Sequence, residues 1–145
     1  MRVTVLNGPN LNLLGTRQPE IYGTTTLAGI EAMLGEEASR LGVSLRFFQT
    51  NHEGVLVDEI QRLPAVADGL ILNAGAYSHT SLAIRDALLA VRVPFVEVHL
   101  TDVMAREEYR RRLLLADLAV EVITGRGAEG YRLALHALAQ LLSER

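Results

Sequence analysis

The chain has 145 residues, 49% of them hydrophobic and 21% charged, a balance that predicts a single soluble domain and excludes a disordered or fibrous chain. A formal charge of −3 leaves no basic footprint for nucleic acid, and no run reaches the roughly 20 apolar residues of a membrane span. With no cysteine, and with all 14 basic residues arginine, the chain excludes disulfides, thiolate nucleophiles, a Schiff-base lysine and the lysine of a Walker loop.

Taken in order, apolar runs at Val3–Leu6, Val43–Phe48, Gly69–Leu72, Phe95–Val98 and Leu118–Ile123 predict strands. Between them lie stripes with helical spacing. Leu27, Ile30, Leu34, Ala38 and Leu41 make the first; Leu56, Ile60 and Leu63 make the second. Ile84, Ala87, Leu88 and Val91 make the third, with Ser78 or Thr80 as candidate N-caps. A weaker fourth helix is expected near Ala105–Leu115, and Tyr131, Leu135, Leu138 and Leu142 mark the last. Five strands alternating with five helices predict a doubly wound α/β fold. The expected form is flavodoxin-like: a five-stranded parallel sheet in the order 2-1-3-4-5, with helices on both faces. The whole of 1–145 is expected to form one catalytic domain. Met1-Arg2 leads straight into a strand pattern without the features of a signal peptide, so the expected location is the cytoplasm.

In such sheets a ligand binds beyond the carboxyl ends of the strands, at the switch point between strands 1 and 3. Those ends are polar here. Strand 1 runs into Asn7-Gly8-Pro9-Asn10, strand 3 into Asn73-Ala74-Gly75, and strand 4 carries Glu97 and His99. Glu97 and His99 are two residues apart, so they share one side of an extended segment, where a carboxylate orients an imidazole and supports its charge. His52 and His136 read as structural or solvated, and His79 sits in a Ser- and Thr-rich segment before a helix. No His, Asp or Glu spacing matches a usual metal site.

Gly125-Arg126-Gly127-Ala128-Glu129-Gly130 matches G-x-G-x-x-G after a strand and before a helix. A dinucleotide site also needs a further strand with an acidic residue about 20 positions on. The chain ends one helix after Gly130, so a tight turn with close helix packing is expected instead. The long loop after strand 1 is rich in Asn and Gly and carries Arg17 and Tyr22, as functional loops often do. The run Arg106-Glu107-Glu108-Tyr109-Arg110-Arg111-Arg112 reads as a solvated helix with pairs Glu107–Arg111 and Glu108–Arg112, from which one arginine could reach an anionic ligand.

These segments, in order, resemble the type II 3-dehydroquinate dehydratases. The opening block is Asn7 to Arg17 with Pro19 and Tyr22-Gly23. Gln49-Thr50-Asn51-His52-Glu53-Gly54, Asn73 to Ser81, and Glu97-Val98-His99-Leu100-Thr101 resemble three further blocks, and Gly125 to Leu135 the last. The chain departs from the family pattern at Ala74, at Asp102 and at Arg111-Arg112-Leu113, the last beside Arg110.

The resemblance implies dehydration of 3-dehydroquinate to 3-dehydroshikimate by anti elimination through an enolate, without metal, cofactor or imine. Such a β-elimination needs a base, an enolate stabiliser and an acid. By resemblance Tyr22 is the base, Arg17 the cation that lowers its pKa, and Asn10 the residue that holds a donor at the enolate. His99, oriented by Glu97, is the acid. Asn73, His79, Arg110 and the Leu100-Thr101 backbone are expected to bind substrate. The resemblance further implies a homododecamer of trimers, with Asp86 reaching a neighbouring subunit's site. A flavin carrier shares the expected fold but needs a Ser/Thr-rich phosphate loop after strand 1. A phospho-receiver domain needs an acidic residue ending strand 3, where this chain has Asn73, and a lysine.

Overall fold

A computed structural model describes residues 1–16, 18, 20 and 25–145. The strands are β1 (Arg2–Asn7), β2 (Ser44–Gln49), β3 (Gly69–Asn73), β4 (Phe95–His99) and β5 (Glu121–Thr124). All neighbouring pairs are parallel, and the order is β2-β1-β3-β4-β5, as the alternating pattern predicts. Among the described residues there are four α-helices: α1 (Leu27–Leu41), α2 (Glu53–Val66), α3 (Leu82–Val91) and α4 (Glu129–Ser143).

Alternation along the strands builds two cores. Val3 and Val5 of β1, Ile71 of β3 and Val96 and Val98 of β4 face one side, under Ile30, Leu34 and Ala38 of α1 and Ala134, Leu135 and Leu138 of α4. Leu6, Leu70, Leu72 and Phe95 face the other, under Leu56, Ile60 and Leu63 of α2 and Ile84 and Leu88 of α3. Both faces of the sheet are therefore covered, and the residues just past the strand ends are left as its open rim. No helix among the described residues is long and apolar enough to cross a membrane.

Three local expectations are corrected. The segment predicted as a helix at Ala105–Leu115 is a set of short 3-10 turns at Val103–Ala105, Glu108–Arg110 and Ala116–Leu118. Asp102 caps the first through the amide of Met104 (3.0 Å), and the amide of Leu114 bonds to the carbonyl of Ser78 (2.9 Å). These bonds, with Leu115 buried in the second core, override the helical charge spacing of the segment. Glu107 consequently pairs with Arg110 at 3.0 Å and with Arg106 at 3.6 Å, and not across a helical turn with Arg111.

The N-cap of α3 is Ser81, whose hydroxyl accepts from the amide of Ile84 at 2.9 Å. Ser78 and Thr80 belong instead to the preceding 3-10 turn and its end, where the amide of Thr80 bonds to Tyr77. Finally, β5 begins at Glu121, because Leu118 closes a turn rather than opening a strand.

The glycine-rich segment behaves as a turn. Gly125 and Gly127 have φ of 72° and 56°, in the left-handed region that a side chain disfavours. Gly130 brings α4 so close that an added Cβ would lie 3.4 Å from Ile123 and Val98.

Candidate active site

The ends of β1, β3 and β4 converge as predicted. Asn7 and Asn73 are register partners, and the amide of Gly8 bonds to the carbonyl of Asn73 at 2.8 Å. A Cβ on Gly8 would lie 2.4 Å from the carbonyl oxygen of Ala74, so only glycine lets the two strand ends meet this closely. Asn10 follows with φ 68°, a left-handed conformation that Asn tolerates. Its amide donates to Asn51 Oδ1 (3.0 Å), which also accepts from Gln49 (3.2 Å), so the end of β2 supports the first loop.

A cavity of about 160 Å³ opens on this rim. Of the residues expected at the site, Asn10, Asn73, His79, His99, Leu100, Thr101 and Arg110 line it together. Glu97 lies behind His99 and is fully buried. Nε2 of His99 donates to Oε2 of Glu97, which fixes the ring and leaves Nδ1 for a ligand in the cavity that the ring lines. The other oxygen of Glu97, Oε1, has no partner among the described residues. His79 lies beside His99, ring centroids 6.2 Å apart. Its Nδ1 donates to the carbonyl of Arg112 (3.0 Å), so Nε2 of the neutral ring is an acceptor. Burial holds its pKa below the usual imidazole value; the nearby His99 and Arg110 push the same way, while the Arg112 carbonyl and Glu97 oppose them.

Cationic groups face the same space. Arg110 lies against the Tyr109 ring (5.7 Å) and pairs with Glu107. Arg106, which the sequence offered only as one of several arginines in a charged run, also lines the cavity and donates to Thr101 Oγ1 at 3.3 Å. The glycine-rich turn has its use here: the amides of Gly125 and Gly127 bond to the carbonyls of Thr101 and Leu100, both at 3.0 Å. It holds the 100–101 backbone at the rim instead of binding a dinucleotide.

Other expected residues stand elsewhere. Asp86 is exposed on α3, away from the cavity lining, and its neighbour Arg85 pairs with Asp117 at 2.5 Å rather than with it. Arg17 and Tyr22 lie outside the described residues. His52 precedes α2 without a side-chain cap, and His136 donates to Glu37 (2.8 Å) between α4 and α1. Among the described residues, no three of His, Asp and Glu gather in a way that could hold a metal ion.

Residues 1–139 match the family model described as Dehydroquinase class II. The chain belongs to that family. A 3-dehydroquinate dehydratase of Dinoroseobacter shibae is 55% identical, with 95% of this chain and 92% of that protein covered. A catabolic 3-dehydroquinase of Verticillium alfalfae is 52% identical over 96% of this chain and 93% of that one. The crystal structure of a type II dehydroquinase from Butyrivibrio crossotus superposes with a TM-score of 0.93. It is 38% identical and covers 95% of this chain and 97% of the other. As a class II dehydroquinase the chain is a hydro-lyase with the flavodoxin-like sheet order expected of it.

Sequence reasoning assigned the polar lining of this dehydroquinase cavity except Arg106, and left out Pro9, Leu11, Gly75, Ala76 and Val103, which shape its walls. Their one signal was position, each within a few residues of an assigned polar group.

Proposed function

We propose that the chain dehydrates 3-dehydroquinate to 3-dehydroshikimate by anti β-elimination through an enolate. The observation that carries this reading is the buried Glu97–His99 pair at the edge of a cavity lined by Asn10, Asn73, His79 and two arginines. That set suits a small anion rich in hydroxyl groups and can supply a positioned acid without any bound cofactor.

In this mechanism the phenolate of Tyr22 takes the proton α to the ketone. A Tyr hydroxyl ordinarily has a pKa of about 10, so Arg17 takes the proposed role of the cation that lowers the cost of the anion. The electron pair moves to the ketone oxygen as an enolate, stabilised by a donor that Asn10 holds. It then returns to form the carbon–carbon double bond as the hydroxyl leaves with a proton from His99. Water is the only other product. Asn73, His79, Arg110 and the Leu100-Thr101 backbone bind the substrate's hydroxyls and carboxylate. The neutral His79 can accept from a hydroxyl without placing a third cation beside the arginines.

Addition of 3-dehydroquinate to the purified protein should produce the ultraviolet absorbance of a conjugated enone. No rise in absorbance from folded protein would overturn the assignment.

The same reading includes one catalytic domain over 1–145, a cytoplasmic location, and a homododecamer built from trimers in which Asp86 acts on a neighbouring site. The exposed position of Asp86, with exposed Leu82 and Leu89 on the same helix, supports this use of α3. Asp86→Ala and Tyr22→Phe should each be weakly active alone and regain part of the activity when mixed and reassembled. A fully active monomer in light scattering, or no recovery despite proven subunit exchange, would show that the site is built from one chain.

A further inference from the structure

Behind the cavity wall lies a buried polar chain that the elimination itself does not use. Tyr131, in the first turn of α4, is fully buried among apolar side chains. Its hydroxyl donates to Asn7 Oδ1 at 2.5 Å and accepts from Asn73 Nδ2 at 3.0 Å. Asn73 Oδ1 in turn accepts from the amide of Gly75 at 3.1 Å. Both ends of the Asn73 amide are thus held, and the same residue lines the cavity. An amide rotor at a strand end otherwise has two orientations of nearly equal shape, which present opposite hydrogen-bonding groups. The backbone amide of Gly75 can only donate, so Asn73 turns its oxygen toward Gly75 and its nitrogen toward Tyr131. The hydroxyl accepts from that nitrogen, gives its one proton to Asn7 Oδ1, and so holds the other end of the same orientation. Burial pushes the phenol above its usual pKa, so it stays neutral and keeps the proton that it gives to Asn7. Nδ2 of Asn7 has no partner among the described residues, so the chain runs one way and ends there.

Resting on the proposed dehydration, we infer that Tyr131 is a positioning residue: with Asn7 it locks the orientation in which Asn73 meets the substrate. The hydroxyl never touches the reacting atoms and transfers no proton. Its effect passes through Asn73 into substrate binding, so it belongs in KM more than in kcat.

Tyr131→Phe keeps the ring in the core and removes only the hydroxyl. Losing one hydrogen bond that aims a binding group should raise KM for 3-dehydroquinate by about tenfold, with kcat much less affected. Asn7→Ala, which removes the acceptor that aims the same hydroxyl, should raise KM in the same direction. In an Asn73→Ala background, Tyr131→Phe should raise KM no further, because the group it positions is gone. A merely structural role would instead lower the fraction of folded sites, counted by product titration, and leave KM of the remaining sites unchanged. A wild-type KM in both Tyr131→Phe and Asn7→Ala, or a full additive increase in the Asn73→Ala background, would overturn the inference. Turnover by the wild-type protein in the same series tests the dehydration separately, so the two failures are distinguishable.

Discussion

Tyr22→Phe is expected to lower kcat by a factor on the order of 10²–10⁴, the usual contribution of a positioned general base, while substrate and product still bind. The chain has no lysine or cysteine that could take over. In the proposed mechanism His99 is the acid and His79 binds a substrate hydroxyl, so neither is assigned the α proton. Tyr77 donates its hydroxyl to the backbone of Asn51 (2.8 Å), and Tyr131 is buried behind the wall with its pKa raised. Tyr109 is exposed, with the guanidinium of Arg110 lying over its ring. Tyr22 has the role of base by the family resemblance, and Arg17 precedes it closely in the sequence. In the proposed mechanism, removing the Tyr22 hydroxyl deletes the group that accepts the α proton and changes no residue that lines the cavity. Single-turnover rates with isothermal binding of product check both halves of this expectation. Near-normal turnover would remove Tyr22 from the role of base.

The strands and their rim were legible from period and composition, and the sheet order from the fold class that alternation and chain length favour. Short apolar runs such as Gly69–Leu72 and Phe95–Val98 mark strands buried on both faces, and each is followed by Asn, Gly or His where the core ends. The pairing of Glu97 with His99 was legible for the same reason, since two residues apart means one side of a strand.

The segment 105–115 was not legible. Its Glu and Arg spacing satisfies a helix locally, but the amide of Leu114 bonds to Ser78, and Asp102 starts a 3-10 turn. Those bonds join distant parts of the sequence and leave no trace in local spacing. The cap of α3 was misplaced at Ser78 or Thr80 because both are good cap residues, and only the 3-10 turn that takes up 75–79 and ends at Thr80 leaves Ser81 to meet the amide of Ile84. Tyr131 was read as one apolar residue in a helical stripe. Its partner Asn7 is 124 positions away, so its polar role waited on the fold. Asp86 lies on a helix surface, where no property of a single chain distinguishes a solvated carboxylate from one that serves a neighbour.

The second large effect is expected at His99. His99→Ala should lower dehydration by a factor on the order of 10²–10⁴, because the hydroxyl is a poor leaving group without a proton donor. Glu97 is buried with it, so the alanine variant also leaves a carboxyl group without its ring partner. Some loss of stability should follow, and Glu97→Gln should reduce dehydration through a poorly oriented ring. In the proposed mechanism removal of the α proton precedes loss of the hydroxyl, with the enolate between them, and is assigned to Tyr22 rather than His99. The direct test is therefore to incubate His99→Ala with 3-dehydroquinate in deuterated water. Exchange of the α proton is followed by NMR, and enone formation by absorbance, on the same sample. The predicted result is continued exchange with dehydration nearly abolished. Exchange and dehydration falling together by the same factor would contradict the division of labour between Tyr22 and His99.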